Sequence, residues 1–388
     1  MQSLGAWQVP PELDDLRRSV ADFVAREVRP YEVGLDVDAI QLDDEHLTAA
    51  RIKARAAGLW CLASPVEYGG AGLNFLAQAL VAEESAQCKL GAYAPAGGAF
   101  GWDPPNLIFG GTPDQIERYA VPSIRDGKKA FVAISEQSGG SDPARSIQTR
   151  ADRDGDKWVL NGTKTWISGA LEANWGVVFA RTGVAPGRNG ISCFIVDRDA
   201  PGLSMRPIPV IRAWSPAEVH LENCRVPLSN LLGEEGEGFV LANRWLTTAR
   251  ITYAAGCVGV ARAALTMAIS YSKERQAFGG FLSDKQAIQW MLADSEVDLR
   301  AARLLVYEAA WKADMGQDFK TEASVAKVFA TEAAGRVIDR CLQIFGGIGL
   351  SKELPLERWY RELRIKRIGE GPSEIHRMVI ARALLRGE

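Results

Sequence analysis

The spacing of apolar residues changes twice along this 388-residue chain. In the first third, apolar residues such as Leu13 and Val20 recur at the three-to-four-residue spacing of amphipathic helices. After Lys129 the pattern becomes short β-branched stretches separated by turn sequences, which predicts strands. The helical spacing returns after about 100 residues and continues to the end. These changes predict an α+β multidomain chain with an N-terminal helical domain, 1–128, a middle antiparallel β-barrel or sandwich, 129–232, and a C-terminal helical bundle domain, 233–388.

The same patterns predict individual elements. Helices are expected over 11–30, 44–58, 74–88, about 113–127, 239–273, 284–314, 321–344 and 370–386. Strands are expected over 130–134, 158–160, 164–167, 177–180, 191–196, 205–211 and 219–221. Turns are expected at Asp154-Gly155-Asp156, Asn161-Gly162 and Asn189-Gly190.

Composition narrows the function classes. The chain has 48 acidic and 45 basic side chains, and this balance leaves no basic footprint for nucleic acid or for an anionic membrane surface. No apolar run approaches the roughly 20 residues of a membrane-spanning helix, and the first residues lack the pattern of a secretory signal. The six cysteines form no CxxC pair, and the three histidines have no zinc-site spacing. We therefore expect a cytoplasmic protein without a metal, a membrane or a nucleic-acid partner.

Nucleotide-binding fingerprints of the P-loop and GxGxxG types are absent, but five segments combine glycine with chemistry-bearing residues. They are AISEQSGGSD at 133–142, NGTKTWISGA at 161–170, ERQAFGG at 274–280, QIFGGIGL at 343–350 and GEGPSEIHR at 369–377. Each has an ordinary structural interpretation: a loop, a core tryptophan, a charge at a helix end, a glycine cap, or an acidic first helical turn. Each also suits a ligand: glycines present backbone N–H groups, and a tryptophan packs on a planar ring.

The five segments together, with ARITYAAGCVGVARAAL at 249–265, resemble the acyl-CoA dehydrogenase family of flavoproteins over essentially the whole chain. The resemblance implies N-terminal helices, a middle β domain and a C-terminal four-helix bundle, assembled as a homo-oligomer, usually a tetramer. It also implies bound FAD, an acyl-CoA substrate, and an electron-transfer flavoprotein that accepts the electrons. The expected reaction is α,β-dehydrogenation of the thioester to the 2,3-enoyl-CoA, with a base for the α-proton and flavin as acceptor of the β-hydride.

The resemblance also implies roles for individual residues. Glu370 matches the catalytic base. Positions that bind the cofactor are matched by Val132, Ile134, Ser135, Gly140, Ser141, Trp166, Ser168, Arg275, Phe278, Gln286, Gln343, Gly347, Pro372 and Glu374. Among these, Trp166 and Ser168 fall beside the flavin ring, and Arg275, Phe278, Gln286, Gln343 and Gly347 fall where the family reaches the FAD of a neighbouring subunit. Positions that bind the substrate are matched by Ser141, Thr247, Arg250 and Gly371.

Three positions depart from the family pattern. Pro372 replaces a hydroxyl residue, so one side-chain bond to flavin is expected to be lost. Gly369 stands where some members carry an aromatic residue, which would widen the acyl pocket. Ala249 occupies the alternative position of the base, which leaves Glu370 as the candidate.

An oxidase or an enoyl-CoA reductase on the same scaffold remains an alternative function, and so does a catalytically silent flavin- or CoA-binding protein.

Overall fold

The structure, a computed structural model, describes residues 9–183 and 187–387. Within these ranges the helices are α1 Pro11–Glu27, α2 Asp44–Ala56, α3 Phe75–Ser85, α4 Pro113–Gln115, α5 Val121–Asp126, α6 Pro143–Ser146, α7 Gly238–Glu274, α8 Gln286–Asp314, α9 Lys320–Phe345, α10 Leu356–Lys366 and α11 Ser373–Arg386. The strands are β1 Ala130–Ala133, β2 Arg150–Asp154, β3 Lys157–Ile167, β4 Trp175–Arg181, β5 Ile191–Asp197, β6 Leu203–Pro207, β7 Ala217–Pro227, β8 Gln276–Ala277 and β9 Gly280–Phe281.

Backbone contacts group the chain into two compact units. The helical unit contains residues up to 60, 73–100 and 248 onward, and the sheet unit contains 61–72 and 101–247. The expected succession of helices, strands and helices is confirmed, as is the α+β fold class. The boundaries at 128 and 232 stay a prediction.

The core of the helical unit is rich in alanine, which lets long helices pack closely. At Gly259 on α7, a Cβ would lie 2.1 Å from the carbonyl oxygen of Glu83 on α3, so only glycine fits there. The Glu83 carboxylate is buried and is held by Arg303 at 2.6 Å, Arg262 at 2.7 Å and the Tyr307 hydroxyl at 2.8 Å. These bonds fasten α3 to α7 and α8.

Helix α7 is long and apolar enough to cross a membrane by length and composition alone. However, 72% of its most apolar window is buried inside the protein. Burial of this kind is typical of the core helix of a globular protein.

The sheet unit is built on a seven-stranded sheet in the order β1-β4-β2-β3-β7-β6, with β5 paired to β4. The pairs β2–β3, β3–β7, β4–β5 and β6–β7 are antiparallel, as expected. The sheet is nevertheless mixed, because β1 and β2 each pair with β4 in parallel. Parallel pairing requires a crossover connection, and between β1 and β4 the chain supplies one through α6, β2 and β3.

One turn prediction is wrong. Asn161-Gly162 is not a hairpin turn, since it lies inside β3, where the pairing with β7 shifts register. Gly162 is needed there because a Cβ would lie 2.5 Å from the Thr149 hydroxyl, and ladders on both sides of β3 override the local turn preference. The helix expected over about 113–127 is confirmed as a continuous helical segment from Pro113 to Asp126, with a π-helical turn at Ile116–Ala120 between α4 and α5. Pro122, at the start of α5, has no N–H to donate to the preceding turn.

Candidate active site

The loop after β1 carries the first group of predicted residues. Val132 lies in β1, and Ile134 and Ser135 follow it, half-buried. The Thr165 N–H of β3 donates to the Ser135 carbonyl at 2.9 Å and fixes the start of the loop. Gly140 and Ser141 lie exposed further along. The loop therefore offers backbone N–H groups and hydroxyls to solvent from a fixed base.

A buried ion pair anchors this loop. The Lys164 ammonium lies 2.7 Å from Glu136 Oε1 and is fully buried. Glu136 also accepts bonds from the N–H groups of Gln148 at 2.7 Å and Thr149 at 3.0 Å. Burial lowers the pKa of Lys164 to about 8, and the Glu136 carboxylate opposes the shift. The pair is charged at neutral pH and joins β3 to the loop.

Trp166 and Ser168 lie near the end of β3 and are exposed, which excludes the core interpretation of this tryptophan. Trp166 is 58% exposed and has a left-handed φ of +64°, rare for a bulky residue. The Ser168 hydroxyl accepts a bond from the guanidinium of Arg212 at 3.0 Å. Arg212 is buried and lies on the connection between β6 and β7. An open indole face next to a hydroxyl and a guanidinium suits a planar ring with a polar edge.

A third group meets at one end of the helical unit. The Tyr271 ring, one turn before Arg275, stacks on the Phe345 ring at 4.3 Å, so the ends of α7 and α9 are adjacent. Phe278 sits in the β8–β9 hairpin with a φ of +51° and is 100% exposed. We call the predicted residues at this end of the helical unit the end cluster. All five are exposed: Arg275, Phe278, Gln286, Gln343 and Gly347.

Glu370 lies between α10 and α11 in a left-handed conformation with a φ of +56°. A Cβ at Gly369 would lie 2.4 Å from the Tyr253 hydroxyl oxygen, so any larger residue at 369 would require Tyr253 to move. Glu370 Oε2 is buried and has no hydrogen-bond donor among the described residues. Burial raises the pKa of Glu370 above its usual range, and the cations of Arg250, Lys366 and Lys327 oppose part of that shift. A carboxylate without donors and with a raised pKa is suited to accept a proton.

The remaining predicted residues lie on α7 and at the start of α11. Arg250 is half-buried, its Nε has no hydrogen-bond acceptor in the described part of the chain, and burial lowers its pKa. The Thr247 hydroxyl donates to the Asn243 carbonyl at 2.8 Å within α7. Pro372 is the residue just before α11, and Glu374 lies exposed in its first turn.

Sequence reasoning missed four residues around the candidate base: Tyr253, Lys327, Lys366 and His376. Lys327 had a sequence signal, because it interrupts the apolar face of α9 between Ala323 and Ala330. It is fully buried, and its ammonium donates to the Gly371 carbonyl at 2.6 Å. A lysine on an alanine-rich core face needs such partners.

We expect His376 to make the protein acid-sensitive. It is fully buried, and burial lowers its pKa to about 4, with Arg250 and Lys327 adding to the shift. The unfolded chain, with an ordinary pKa near 6.5, binds the proton more tightly, so stability is lost as the pH falls from about 6.5 towards 4. The loss approaches about 3 kcal/mol. Urea unfolding of wild type and His376→Gln across this range measures it, and equal pH slopes in the two proteins would rule it out.

Three family models match the chain in succession. They are the acyl-CoA dehydrogenase N-terminal domain at residues 10–127, the middle domain at 131–224 and the C-terminal domain at 236–385. The chain belongs to the acyl-CoA dehydrogenase family. It is accordingly an FAD-dependent oxidoreductase that acts on acyl-CoA.

Whole-chain comparisons agree with this family. Mouse (Mus musculus) mitochondrial short-chain specific acyl-CoA dehydrogenase is 40% identical over 386 residues, covering 98% of this chain and 91% of that protein. The solved butyryl-CoA dehydrogenase of Megasphaera elsdenii is 31% identical with a TM-score of 0.85, covering 98% of this chain and 100% of that one. A solved chain described as electron transferring flavoprotein of Acidaminococcus fermentans is 35% identical with a TM-score of 0.88, covering 98% of this chain and 99% of that one.

The residues present fit FAD. The exposed Trp166 indole offers an apolar face, and Ser168 with Arg212 offers polar groups beside it. Gly140 and Ser141 lie exposed beside Gly139, whose N–H donates to the Glu136 carbonyl at 3.1 Å, and at Gly139 a Cβ would lie 2.8 Å from Ser146. These features suit an isoalloxazine ring and a phosphate, respectively.

Proposed function

We propose that this acyl-CoA dehydrogenase oxidises an acyl-CoA thioester to its 2,3-enoyl-CoA with Glu370 as the base. The observation that carries the proposal is the buried Glu370 Oε2, which has no donor among the described residues and lies on a carboxylate whose pKa is raised by burial. Such an oxygen is free to take the α-proton, and exclusion of water keeps it basic. Bound FAD supplies the acceptor for the β-hydride.

The charges around Glu370 support this role. Arg250, Lys366 and Lys327 surround the carboxylate and keep its pKa from rising further. Burial favours the protonated form of a glutamate, and these three cations favour the ionised form, which is the form that can act as a base. Both Glu370 and Gly371 have left-handed backbone conformations. We propose that the backbone N–H of Glu370, at this turn, donates a hydrogen bond to the thioester oxygen.

We assign cofactor and substrate contacts by the same proposal. Flavin contacts are Val132, Ile134, Ser135, Gly140, Ser141, Trp166, Ser168, Pro372 and Glu374. Ser141, Thr247, Arg250 and Gly371 contact the acyl-CoA. Ser373, next to Pro372, does not replace the missing hydroxyl of the family motif, because its Oγ donates to Glu332 at 2.8 Å. The short-chain and butyryl relatives favour a short acyl group.

We propose an electron-transfer flavoprotein as the acceptor of the electrons. The similarity of this chain to a solved structure described as electron transferring flavoprotein of Acidaminococcus fermentans favours this partner. On mixing with a short acyl-CoA, the flavin absorbance should bleach, and reoxidation should be much faster with an electron-transfer flavoprotein than with oxygen. Rapid reoxidation by oxygen in stopped flow would instead indicate an oxidase. If no short, branched, long or aromatic acyl-CoA bleaches the flavin, the protein is a catalytically silent flavin- or CoA-binding protein. Activity only with an enoyl-CoA and a reductant would indicate a reductase.

We also propose a homotetramer. Apolar side chains are exposed at seven-residue intervals along α8, and this α8 stripe consists of Trp290, Val297, Leu304 and Trp311. Seven-residue spacing favours packing against another helix. The exposed end cluster of Arg275, Phe278, Gln286, Gln343 and Gly347 is the proposed contact to the FAD of a neighbouring subunit.

Placing a charge in the α8 stripe should dissociate the assembly. We expect Val297→Glu to yield smaller species in light scattering and to retain less FAD, because ligand binding and assembly are linked. Val33→Glu is the matched control, since Val33 is a 90% exposed valine outside α8. A wild-type monomer with full activity would contradict the proposal, as would an unchanged mass for Val297→Glu.

We propose a cytoplasmic location as well. All six cysteines are buried, and none of them forms a disulfide, which suits a reducing compartment.

A further inference from the structure

The segment that presents Glu370, here called the Glu370 loop (residues 367–372), contains two successive left-handed residues. Glu370 has a φ of +56° and Gly371 a φ of +92°. A glutamate adopts this region only where its surroundings hold it there, because its Cβ is crowded by the backbone. The loop is therefore expected to need specific restraints.

Lys327 supplies the first restraint. Its ammonium extends from α9, is fully buried, and donates to the Gly371 carbonyl at 2.6 Å and to the Arg367 carbonyl at 3.4 Å. The two carbonyls lie at opposite ends of the Glu370 loop. In the described part of the chain no carboxylate lies within salt-bridge distance of this ammonium. Its bonds are to the backbone of the loop, so its position restrains that backbone directly.

His376 supplies the second restraint. It lies in α11, is fully buried, and its Nε2 lies 3.0 Å from the Glu370 carbonyl oxygen. A carbonyl oxygen can only accept, so Nε2 carries the proton and donates it. His376 Nδ1 has no hydrogen-bond partner in the described ranges, which is consistent with a neutral ring held for its single donor. The same Nε2 would lie 3.1 Å from a Cβ at Gly371, so the imidazole also fills the space beside the turn.

We propose that Lys327 and His376 are positioning residues, which hold the Glu370 loop from α9 and α11. They keep the Glu370 backbone in its left-handed conformation and thereby place its carboxylate where no donor reaches Oε2. The proposal rests on the proposed role of Glu370 as base. Neither side chain forms a hydrogen bond to the carboxylate oxygens, so each positions Glu370 through the backbone, and Lys327 also acts on the carboxylate by its charge.

The two residues should be distinguishable by charge. The groups that act on Glu370 are Arg250 from α7, Lys327 from α9, Lys366 from α10 and the neutral His376 from α11. Lys327 is a cation at neutral pH, although burial lowers its pKa to about 8. Removing it takes away one opposing charge and raises the pKa of Glu370 further. Removing the neutral His376 changes the position of the Glu370 carboxylate but removes no charge near it.

The test measures kcat, KM, their pH dependence and the α-deuterium isotope effect in FAD-loaded enzyme. We expect Lys327→Met to lower kcat about 10²-fold with a nearly unchanged KM, since a displaced base reacts slowly. The acidic limb of its pH profile should move to higher pH. We expect His376→Leu to lower kcat about tenfold without moving that limb, and His376→Gln, which keeps an N–H donor, to restore most of the loss. The isotope effect should rise in Lys327→Met and His376→Leu, because proton removal becomes slower.

Thr331→Val is the matched control. Thr331 is buried one turn after Lys327 on α9, and its hydroxyl donates to the Lys327 carbonyl at 2.8 Å. It should leave all four measurements unchanged, and a loss equal to that of Lys327→Met would overturn the proposal as a general packing effect. If Lys327→Met does not fold, the His376→Leu and His376→Gln pair decides, and equal losses in both would overturn it. If Glu370→Gln is inactive while Lys327→Met and His376→Leu turn over at the wild-type rate, the positioning role of Lys327 and His376 is overturned and the role of Glu370 as base stands. A fully active Glu370→Gln overturns the proposed base, and the positioning role with it.

Discussion

Glu370→Gln is expected to lower turnover by about 10²–10⁴-fold, the usual cost of removing a general base. The amide keeps the size of the side chain but cannot accept the α-proton. The Oε2 that loses its basicity is buried and has no donor among the described residues. Steady-state turnover with a short acyl-CoA and the rate of flavin bleaching both measure the effect.

Binding should survive this substitution. FAD content and the affinity for a non-reacting acyl-CoA should stay near wild type, because Glu370 Oε2 makes no hydrogen bond that the substitution removes. Glu353→Gln is the matched control, as it changes an exposed glutamate between α9 and α10 that has no proposed contact to cofactor or substrate. Parental turnover in Glu370→Gln would mean that the base lies elsewhere.

Ala249→Glu is the complementary variant. Ala249 lies on α7 directly before Arg250, and it occupies the alternative position of the base in the family. In the Glu370→Gln background, a carboxylate at 249 is expected to restore part of the activity. Restoration would show that what Glu370→Gln lost was a base, since no other feature of Glu370 is returned by Ala249→Glu.

Long periodic segments made the fold predictable from the sequence. Helices α7, α8 and α9 lie within one or two residues of their expected bounds, because each buries one continuous face. Asn161-Gly162 was misread because turn preference is a local property, whereas β3 is paired on both sides along its length. The parallel pairing of β1 with β4 joins residues about 45 positions apart, and no local pattern encodes such a pairing.

The candidate site was predictable only through its motifs. Taken singly, Trp166 and Glu370 each had an ordinary interpretation that the sequence could not exclude. The exposure of the indole excludes a core position for Trp166, and the burial of Oε2 excludes a solvated first-turn carboxylate for Glu370, while their functional roles stay a proposal. Lys327, His376 and Arg212 were missed because their partners are distant or unremarkable in sequence. Lys327 reaches a carbonyl 44 residues away, and Arg212 reaches Ser168 across the same distance. The one usable signal was the charge of Lys327 on an alanine-rich face.

The buried Lys164–Glu136 pair leads to the second large expected effect. Lys164→Met should lower the free energy of unfolding by about 3 kcal/mol, the lower end of the range for breaking a buried ion pair by removing one partner. The lower end applies because Glu136 keeps its bonds from Gln148 and Thr149. Urea unfolding at constant m measures the change.

FAD retention should fall in the same variant. Lys164 also donates to the Ile134 carbonyl at 3.4 Å, so its loss frees both the glutamate and the backbone at the start of the proposed flavin loop. Lys157→Met is the matched control, since it removes an exposed lysine from the same strand. Its stability and FAD content should match those of wild type.

The pH dependence fixes the cause. Burial alone would raise the pKa of Glu136, but the Lys164 charge and the surrounding hydrogen bonds lower it below its usual range. A lowered carboxyl pKa contributes stability above the unfolded value near 4.3, and that contribution is lost as the pH falls through the folded value. The difference between wild type and Lys164→Met should therefore be full at pH 7 and shrink below pH 4. Adding Glu136→Gln to Lys164→Met should recover part of the free energy of unfolding at pH 7, because no buried charge is then left unpaired. If the double variant is no more stable than Lys164→Met, the ion pair is excluded as the cause.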